Sequence, residues 1–205
     1  MTDEPRWARD RQKPPAWISH DERVAFENPW LKVTVHAATA PTGRPATYGV
    51  VRFANHAVGV VPLHADGTVT LVGQRRFPLG DYSWELPEGG APKSEDPLEG
   101  ARRELREETG LQAGRWAEIL RMQLSNSVTD ELAFVYLATD LSGAGETDFD
   151  ETERLEVVRV PFRDLLDEVL AGRVQDSLTV AGALRVHHMA VTGALDPELA
   201  RAVLG

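Results

Sequence analysis

With 205 residues, a net charge of −10 and no cysteine, the chain suits one domain, or one domain plus an arm, and has neither disulfides nor thiolate metal sites. The acidic balance argues against nonspecific nucleic-acid binding, which needs a basic surface, and no apolar run approaches the ~20 residues that span a bilayer. The N-terminus lacks the apolar segment of a secretory signal, so cytoplasmic residence is expected, with neither nucleic acid nor membrane as partner.

Residues 1–20 are polar, contain Pro5, Pro14 and Pro15, and read as an arm carrying Trp7 and Trp17. From Arg23 to Phe53 the chain has strand character: Trp30 to His36 alternates, Thr47 to Phe53 is rich in β-formers, and Pro41-Thr42-Gly43 marks a turn between them. Val58 to Leu63 and Thr68 to Val72 predict a hairpin around Asp66-Gly67, and Ser83 to Pro87 another short strand. A helix follows, with Asp96 as N-cap, Pro97 at the first helical position, Glu99 placed to close a capping box, and Gly110 as the stop. Leu132 to Leu137 and Leu155 to Val160 read as strands separated by an acidic loop from Leu141 to Glu153. The C-terminal third reads as helices over Pro161 to Leu170, Asp176 to about Met189, and Pro197 to Leu204. Strands on both sides of the central helix indicate a mixed sheet between helices, an α/β (α+β) architecture.

The central helix carries the chemistry. At about 100° per residue, Glu104 and Glu108 lie one turn apart and about 40° around the axis, with Glu107 about 60° to the other side of Glu104. Leu98, Ala101 and Leu105 share an adjacent sector suited to packing on a sheet. An acidic and arginine-rich helix is usually just a solvated face with weak i,i+4 ion pairs. The preceding loop changes that reading. Gly89, Glu95, Arg103-Glu104-Leu105, Glu107-Glu108 and Gly110-Leu111 stand at fixed spacing, and this spacing resembles the Nudix box, G-x5-E-x7-R-E-U-x-E-E-x-G-U with U aliphatic, at every specified position.

The resemblance implies an αβα sandwich with an N-terminal strand extension, and a Mg²⁺- or Mn²⁺-dependent hydrolase of a nucleoside diphosphate linked to another group. Such hard cations take oxygen ligands and bind substrate phosphates together with the protein. On the matching positions, Glu104 and Glu108 are the implied principal metal ligands, Glu107 a further ligand, and the peptide carbonyl of Glu88 completes the coordination. Arg103 is implied to orient the box carboxylates, and Glu95 to brace the loop against the helix.

The flanks resemble the ADP-ribose and nucleoside diphosphate sugar pyrophosphatases. Gln74-Arg75-Arg76-Phe77 followed by Glu85-Leu86-Pro87-Glu88-Gly89 matches their Q-x-R and E-x-P-x-G layout. Arg76 is implied to face the substrate diphosphate, which a planar guanidinium suits, with Arg52 a weaker candidate of the same kind and Glu85 a further substrate-binding candidate. Ser125 to Glu131 occupies the place of an S-P-G-x-x-(D/S)-E segment: Glu131 fits as a site acid, while Asn126 and Ser127 replace the proline and glycine. That departure widens the expected substrates from ADP-ribose to others such as GDP-mannose. Asp150-Glu151-x-Glu153 resembles the loop that supplies the catalytic base; Glu151 is the first choice, Glu153 the second, and Glu107 stays in reserve. Trp30, Phe26 and Tyr48 are candidates to stack on the nucleobase.

The expected organisation is an arm and strands over 1–56, serving dimerisation and base contacts, and a Nudix domain over 57–205. A homodimer is expected, because the extension resembles the one through which these enzymes pair. Other nucleotides (a nucleoside triphosphate, a dinucleoside polyphosphate or coenzyme A) remain alternative substrates. A noncatalytic ADP-ribose-binding sensor is the alternative from another class.

Overall fold

A computed structural model describes residues 5–8, 11–148 and 154–205. It forms two units, one running to Phe53 and including Ser127–Asp130, the other made of Ala54–Asn126 and Glu131–Gly205. In the first, β1 (Ile18–Glu27), β2 (Leu31–Thr39) and β3 (Pro45–Phe53) make an antiparallel sheet in that order. The turn at Pro41-Thr42-Gly43 is where the sequence puts it, with the Gly43 amide donating to Ala40 O at 2.8 Å. The arm does not extend to residue 20 as expected, because β1 begins at Ile18. All ten residues of β1 are exposed, so this edge strand has no buried face to impress a period of two on its sequence. Ser127–Asp130 joins the unit through Val51 N–H to Val128 O and Tyr48 O–H to Ser127 O, at 2.8 and 2.5 Å.

The second unit holds β4 (Asn55–Pro62), β5 (Thr68–Arg76), β6 (Asp81–Glu85), β7 (Glu88–Pro92), α1 (Pro97–Thr109), β8 (Leu111–Gln123), β9 (Leu132–Gly143), β10 (Glu156–Pro161), α2 (Phe162–Leu170), α3 (Ser177–Val191) and α4 (Pro197–Leu204). One sheet has the order β7-β4-β9-β8, with β4 and β9 parallel and the other pairs antiparallel; a second, antiparallel, has the order β10-β5-β6.

The expected hairpin over Val58 to Val72 does not form a ladder. Its turn is present, with the His64 amide donating to Thr68 O, but only the bridge Leu63↔Val69 joins the two arms. Both edges of β4 are taken by β7 and β9, and both edges of β5 by β10 and β6. The near-continuous burial of β4 from Val58 to Pro62 marks it as central, since a hairpin strand with one wet face would alternate.

Side chains of the mixed sheet divide between two helical layers. Val58 and Val60, with Phe134 and Tyr136 of β9, meet Ala101 and Leu105 of α1. Val61, Val135 and Leu137 point the other way, into a core with Phe162 of α2 and Leu178 and Val186 of α3. The αβα arrangement follows from this alternation.

α1 begins and ends on its expected signals. Asp96 Oδ1 accepts from the Leu98 amide at 3.0 Å, Pro97 opens the helix, and Gly110 closes it at φ 66°, a left-handed conformation that disfavours a side chain. Glu99 does not close a capping box; its carboxylate takes Arg102 at 2.9 Å. Because Leu105 is wholly buried under the sheet, Leu105→Ala is expected to lower the unfolding free energy by about 2–5 kcal/mol. Half-buried Leu98→Ala should lower it by less than half of that, read from denaturant titrations of both variants.

Candidate functional site

The α1 carboxylates meet the backbone of β7. The Glu88 amide donates to Glu108 Oε2 at 2.9 Å, and Glu108 is only 4% exposed. The Glu104 carboxylate lies against Gly89, where an added Cβ would stand 2.3–2.6 Å from its carboxyl atoms. A side chain at 89 would therefore displace the Glu104 carboxylate. Arg103 spans both sides of the contact, donating to Glu104 Oε1 at 2.8 Å, to Glu107 Oε2 at 3.3 Å and to Gly90 O at 2.8 Å. Burial opposes the Arg103 charge, but Glu104 and then Glu107 outweigh it and hold its pKa above the ordinary arginine value. Carboxylates of one helix and the backbone at Glu88-Gly89 thus come together, an oxygen-rich donor set that fits a hard divalent cation. Glu95 is half-buried in the turn before α1, its amide donating to Pro92 O at 2.8 Å.

Beside this contact lies a second constellation, which joins Arg76 and Glu85 to two acids, Glu88 and Asp176, whose side chains the sequence did not mark. Glu85, 2% exposed at the end of β6, receives Arg76 through Nε at 2.9 Å and Nη2 at 2.6 Å, and Gln74 Nε2 at 3.2 Å. Arg76 Nη2 also donates to Glu88 Oε1 at 2.8 Å. Arg76 and Glu85, each expected separately as a substrate-binding residue, are thus joined in the structure, with one face of the guanidinium fork clamped on carboxylate. Among the described residues, ligand oxygens of Glu85, Glu88 and Asp176 lie within 4.8 Å of one another. Sequence reasoning placed Asp176 only at a helix start and took Glu88 only for its peptide carbonyl. Proximity of positions 88 residues apart leaves no local signal.

Glu88 Oε2 is buried and accepts no hydrogen bond among the described residues. Burial, then the charges of Asp176 and Glu85, push the Glu88 pKa well above the carboxylate range, with Arg76 partly offsetting them. Burial likewise works against Arg76, whose bond to Glu85 and the charges of Glu85 and Glu88 nevertheless raise its pKa.

The other expected site residues lie elsewhere in the chain. Glu131 is half-buried just before β9, its carbonyl accepting from the Leu124 amide at 3.2 Å. Glu151 and Glu153 fall outside the described residues. In the first unit, Trp30 is 69% exposed, and Arg52 Nη1 reaches Asp130 Oδ2 at 3.5 Å. That unit has a cleft of about 280 Å³ lined by Trp17, Ser19, His36, Ala38, Tyr48, Val50 and Arg52. Trp17 and Tyr48 meet there edge to face, with ring centroids 5.0 Å apart. Phe26, another stacking candidate, is exposed on β1 and is not among the lining residues.

Comparison with known proteins gives a consistent picture. Residues 54–183 match the family described as NUDIX domain, and residues 17–51 match the nucleoside diphosphate sugar hydrolase N-terminal domain. The chain is similar to the ADP-ribose pyrophosphatase of Mycobacterium tuberculosis, 35% identical over 69% of each chain. It is also similar to the ADP-ribose pyrophosphatase of Bacillus subtilis, 33% identical over 75% of this chain and 83% of that protein. A solved structure described as an ADP compounds hydrolase superposes with a TM-score of 0.79, covering 90% of this chain and all of that one, at 19% identity; the likeness is one of fold.

Since the folded Glu88 carboxyl keeps a proton that the unfolded chain releases, its contribution to stability is full below the ordinary carboxylate pKa and is lost as pH rises through the raised value. In chelator-treated protein, melting temperature should fall as pH climbs above the ordinary carboxylate range, and Glu88→Gln should flatten that fall. Parallel pH profiles in scanning calorimetry would contradict this assignment.

Proposed function

Because the chain belongs to the Nudix hydrolase family, we propose that it is a divalent-metal-dependent pyrophosphohydrolase that cleaves a nucleoside diphosphate sugar, such as ADP-ribose or GDP-mannose, to a nucleoside monophosphate and a sugar phosphate. The observation that carries this reading is the contact of the Glu104 and Glu108 carboxylates with the Glu88-Gly89 backbone, clamped by Arg103. The match of residues 17–51 to a nucleoside diphosphate sugar hydrolase N-terminal domain supports the substrate class. Glu104, Glu108 and the Glu88 peptide oxygen would hold the cation, with Glu107 as a further ligand. A bound Mg²⁺ or Mn²⁺ supplies positive charge that offsets the diphosphate.

The remaining steps fall to side chains of the chain. Arg76, fixed from behind by Glu85 and Glu88, keeps Nη1 for a phosphate oxygen, so its orientation is set before substrate arrives. Glu131 and Arg52 serve substrate contacts, and Trp30 the base. A carboxylate, Glu151 first and Glu107 in reserve, takes a proton from the attacking water; the new P–O bond forms as the bridging P–O bond breaks, and the departing phosphate carries the electron pair. Arg103 acts through Glu104 and Glu107 by holding their oxygens in place. Glu95 and Gly110 frame the box.

The exposed strand β1, with Ile18, Val24 and Phe26 each more than half exposed, supports a homodimer as the working assembly. Division into a pairing and base-contact segment over 1–56 and a hydrolase domain over 57–205 accompanies that proposal, as does cytoplasmic residence. Among the described residues no helix is long and apolar enough to cross a membrane.

A panel of nucleoside diphosphate sugars incubated with Mg²⁺ or Mn²⁺, with products identified by mass, tests the reading. Equal release of nucleoside monophosphate and sugar phosphate, abolished by chelator, is expected; tight ADP-ribose binding without hydrolysis would reverse it. Glu104→Gln should lower turnover by about a hundredfold or more with an unchanged melting temperature, and near-normal turnover would defeat the ligand assignment. Glu151→Gln at saturating Mg²⁺ should lose about 10²–10⁴ in kcat, whereas a loss under about tenfold transfers the base role to Glu107.

A further inference from the structure

The corner Leu86-Pro87 joins the strand end that grips Arg76 to the residue that meets the α1 carboxylates, yet it belongs to neither β6 nor β7. Leu86 is wholly buried, and its amide has no ladder partner in the pairing of β6 with β5, which ends at Val72↔Glu85. That N–H donates instead to Thr179 Oγ1 at 2.8 Å, across to the first turn of α3. Thr179 is itself wholly buried, and its hydroxyl proton goes to Asp176 Oδ2 at 2.8 Å. Asp176 Oδ2 also accepts the Thr179 amide at 2.8 Å, so the carboxylate caps α3 and fixes the hydroxyl together.

The polarity of this chain of bonds is determined. An amide can only donate and a carboxylate can only accept, so a hydroxyl standing between them must accept from the first and donate to the second. No aliphatic side chain reproduces that. On the other side of the corner, Pro87 O accepts from the Val60 amide at 2.9 Å, which ties the corner to the central strand β4. Leu86 also packs on α3, where a Cβ on Gly182 would stand 3.0 Å from Leu86 Cδ1. One residue beyond Pro87, the Glu88 amide donates to Glu108, and its carbonyl precedes Gly89.

We propose that Thr179 is a positioning residue for the cation site: its hydroxyl, oriented by Asp176, holds the Leu86 amide and thereby sets the height at which Glu88 presents its peptide group to Glu108 and Glu104. This rests on the reading of the α1 carboxylates as cation ligands. Loss of the hydroxyl strands a buried N–H that must move toward a new partner, and the movement is passed through a rigid proline to Glu88. Removing the hydroxyl leaves the Thr179 amide, so the cap on α3 survives. A purely structural role would lower thermal stability and leave cation affinity alone.

The test compares the full chain with Thr179→Val and Thr179→Ser, measuring Mn²⁺ binding to metal-free protein by calorimetry and the thermal midpoint of each. Thr179→Val should bind Mn²⁺ about tenfold or more weakly, with Thr179→Ser within about twofold of the parent, in line with residues that support metal ligands without touching the ion. In turnover assays the same variant should need more Mg²⁺ for half-maximal rate while KM for the sugar nucleotide changes less. If Thr179→Val does not accumulate as folded protein, Thr179→Ala gives the hydroxyl-free comparison. Mn²⁺ affinity unchanged in the hydroxyl-free variant, or a serine variant no better than valine, overturns the proposal. A parent chain that binds Mn²⁺ with this dependence on Thr179 and cleaves no nucleotide sugar would count against the proposed reaction and leave the positioning role standing.

Discussion

One strand amide and one helix carboxylate meet where the Glu88 N–H donates to Glu108, and the proposed cation site depends on that junction. The strand supplies a peptide group at a fixed height, and the helix supplies carboxylates at a fixed rotation. Neither alone makes a cation site, because a carboxylate on an unsupported helix face is solvated and mobile. Pressed against Gly89 and held by Arg103, the Glu104 carboxylate lacks that freedom. The core beneath makes the junction rigid: Ala101 and Leu105 seat the helix on Val58 and Val60, one turn below the carboxylates.

The Arg76–Glu85–Glu88 network shows how positive charge is kept in reserve next to a site built of acids. Arg76 remains 35% exposed while two of its nitrogens are engaged, so it faces outward with its orientation already fixed. Three carboxylates and one guanidinium leave an excess of negative charge if all are ionised, and that excess adds to burial, the larger cause, in raising the Glu88 pKa. A cation held at the proposed site next to the Glu88 backbone would therefore be electrostatically linked to the protonation of Glu88.

Much of this was legible in the sequence wherever local chemistry dictates local structure. The caps of α1, its apolar sector, the turn at Gly43 and the three C-terminal helices lie where turn residues and periodicity place them, because each signal acts within a few residues. The misses share a cause. β8 was not anticipated: its inward residues alternate only at its two ends, and a bulge at Glu118/Leu120 breaks the period between them. β7, with its sequence Glu-Gly-Gly-Ala-Pro, has almost no strand propensity and is held as a strand by pairing with β4. The assumed hairpin failed because partner choice is a long-range competition that β9 and β10 win. At the site, motif spacing reached Glu104, Glu108, Arg103, Arg76 and Glu85. Asp176 and Thr179 come from a helix start far along the chain and enter through tertiary packing alone.

The place where a divalent cation sits decides the matter. Anomalous diffraction from a crystal soaked with Mn²⁺ and a non-hydrolysable nucleoside diphosphate sugar measures that directly. The predicted result is a manganese peak within ligand distance of Glu104, Glu108 and the Glu88 peptide oxygen, touching the diphosphate. No peak there, or manganese held only among the carboxylates of Glu85, Glu88 and Asp176, would contradict it.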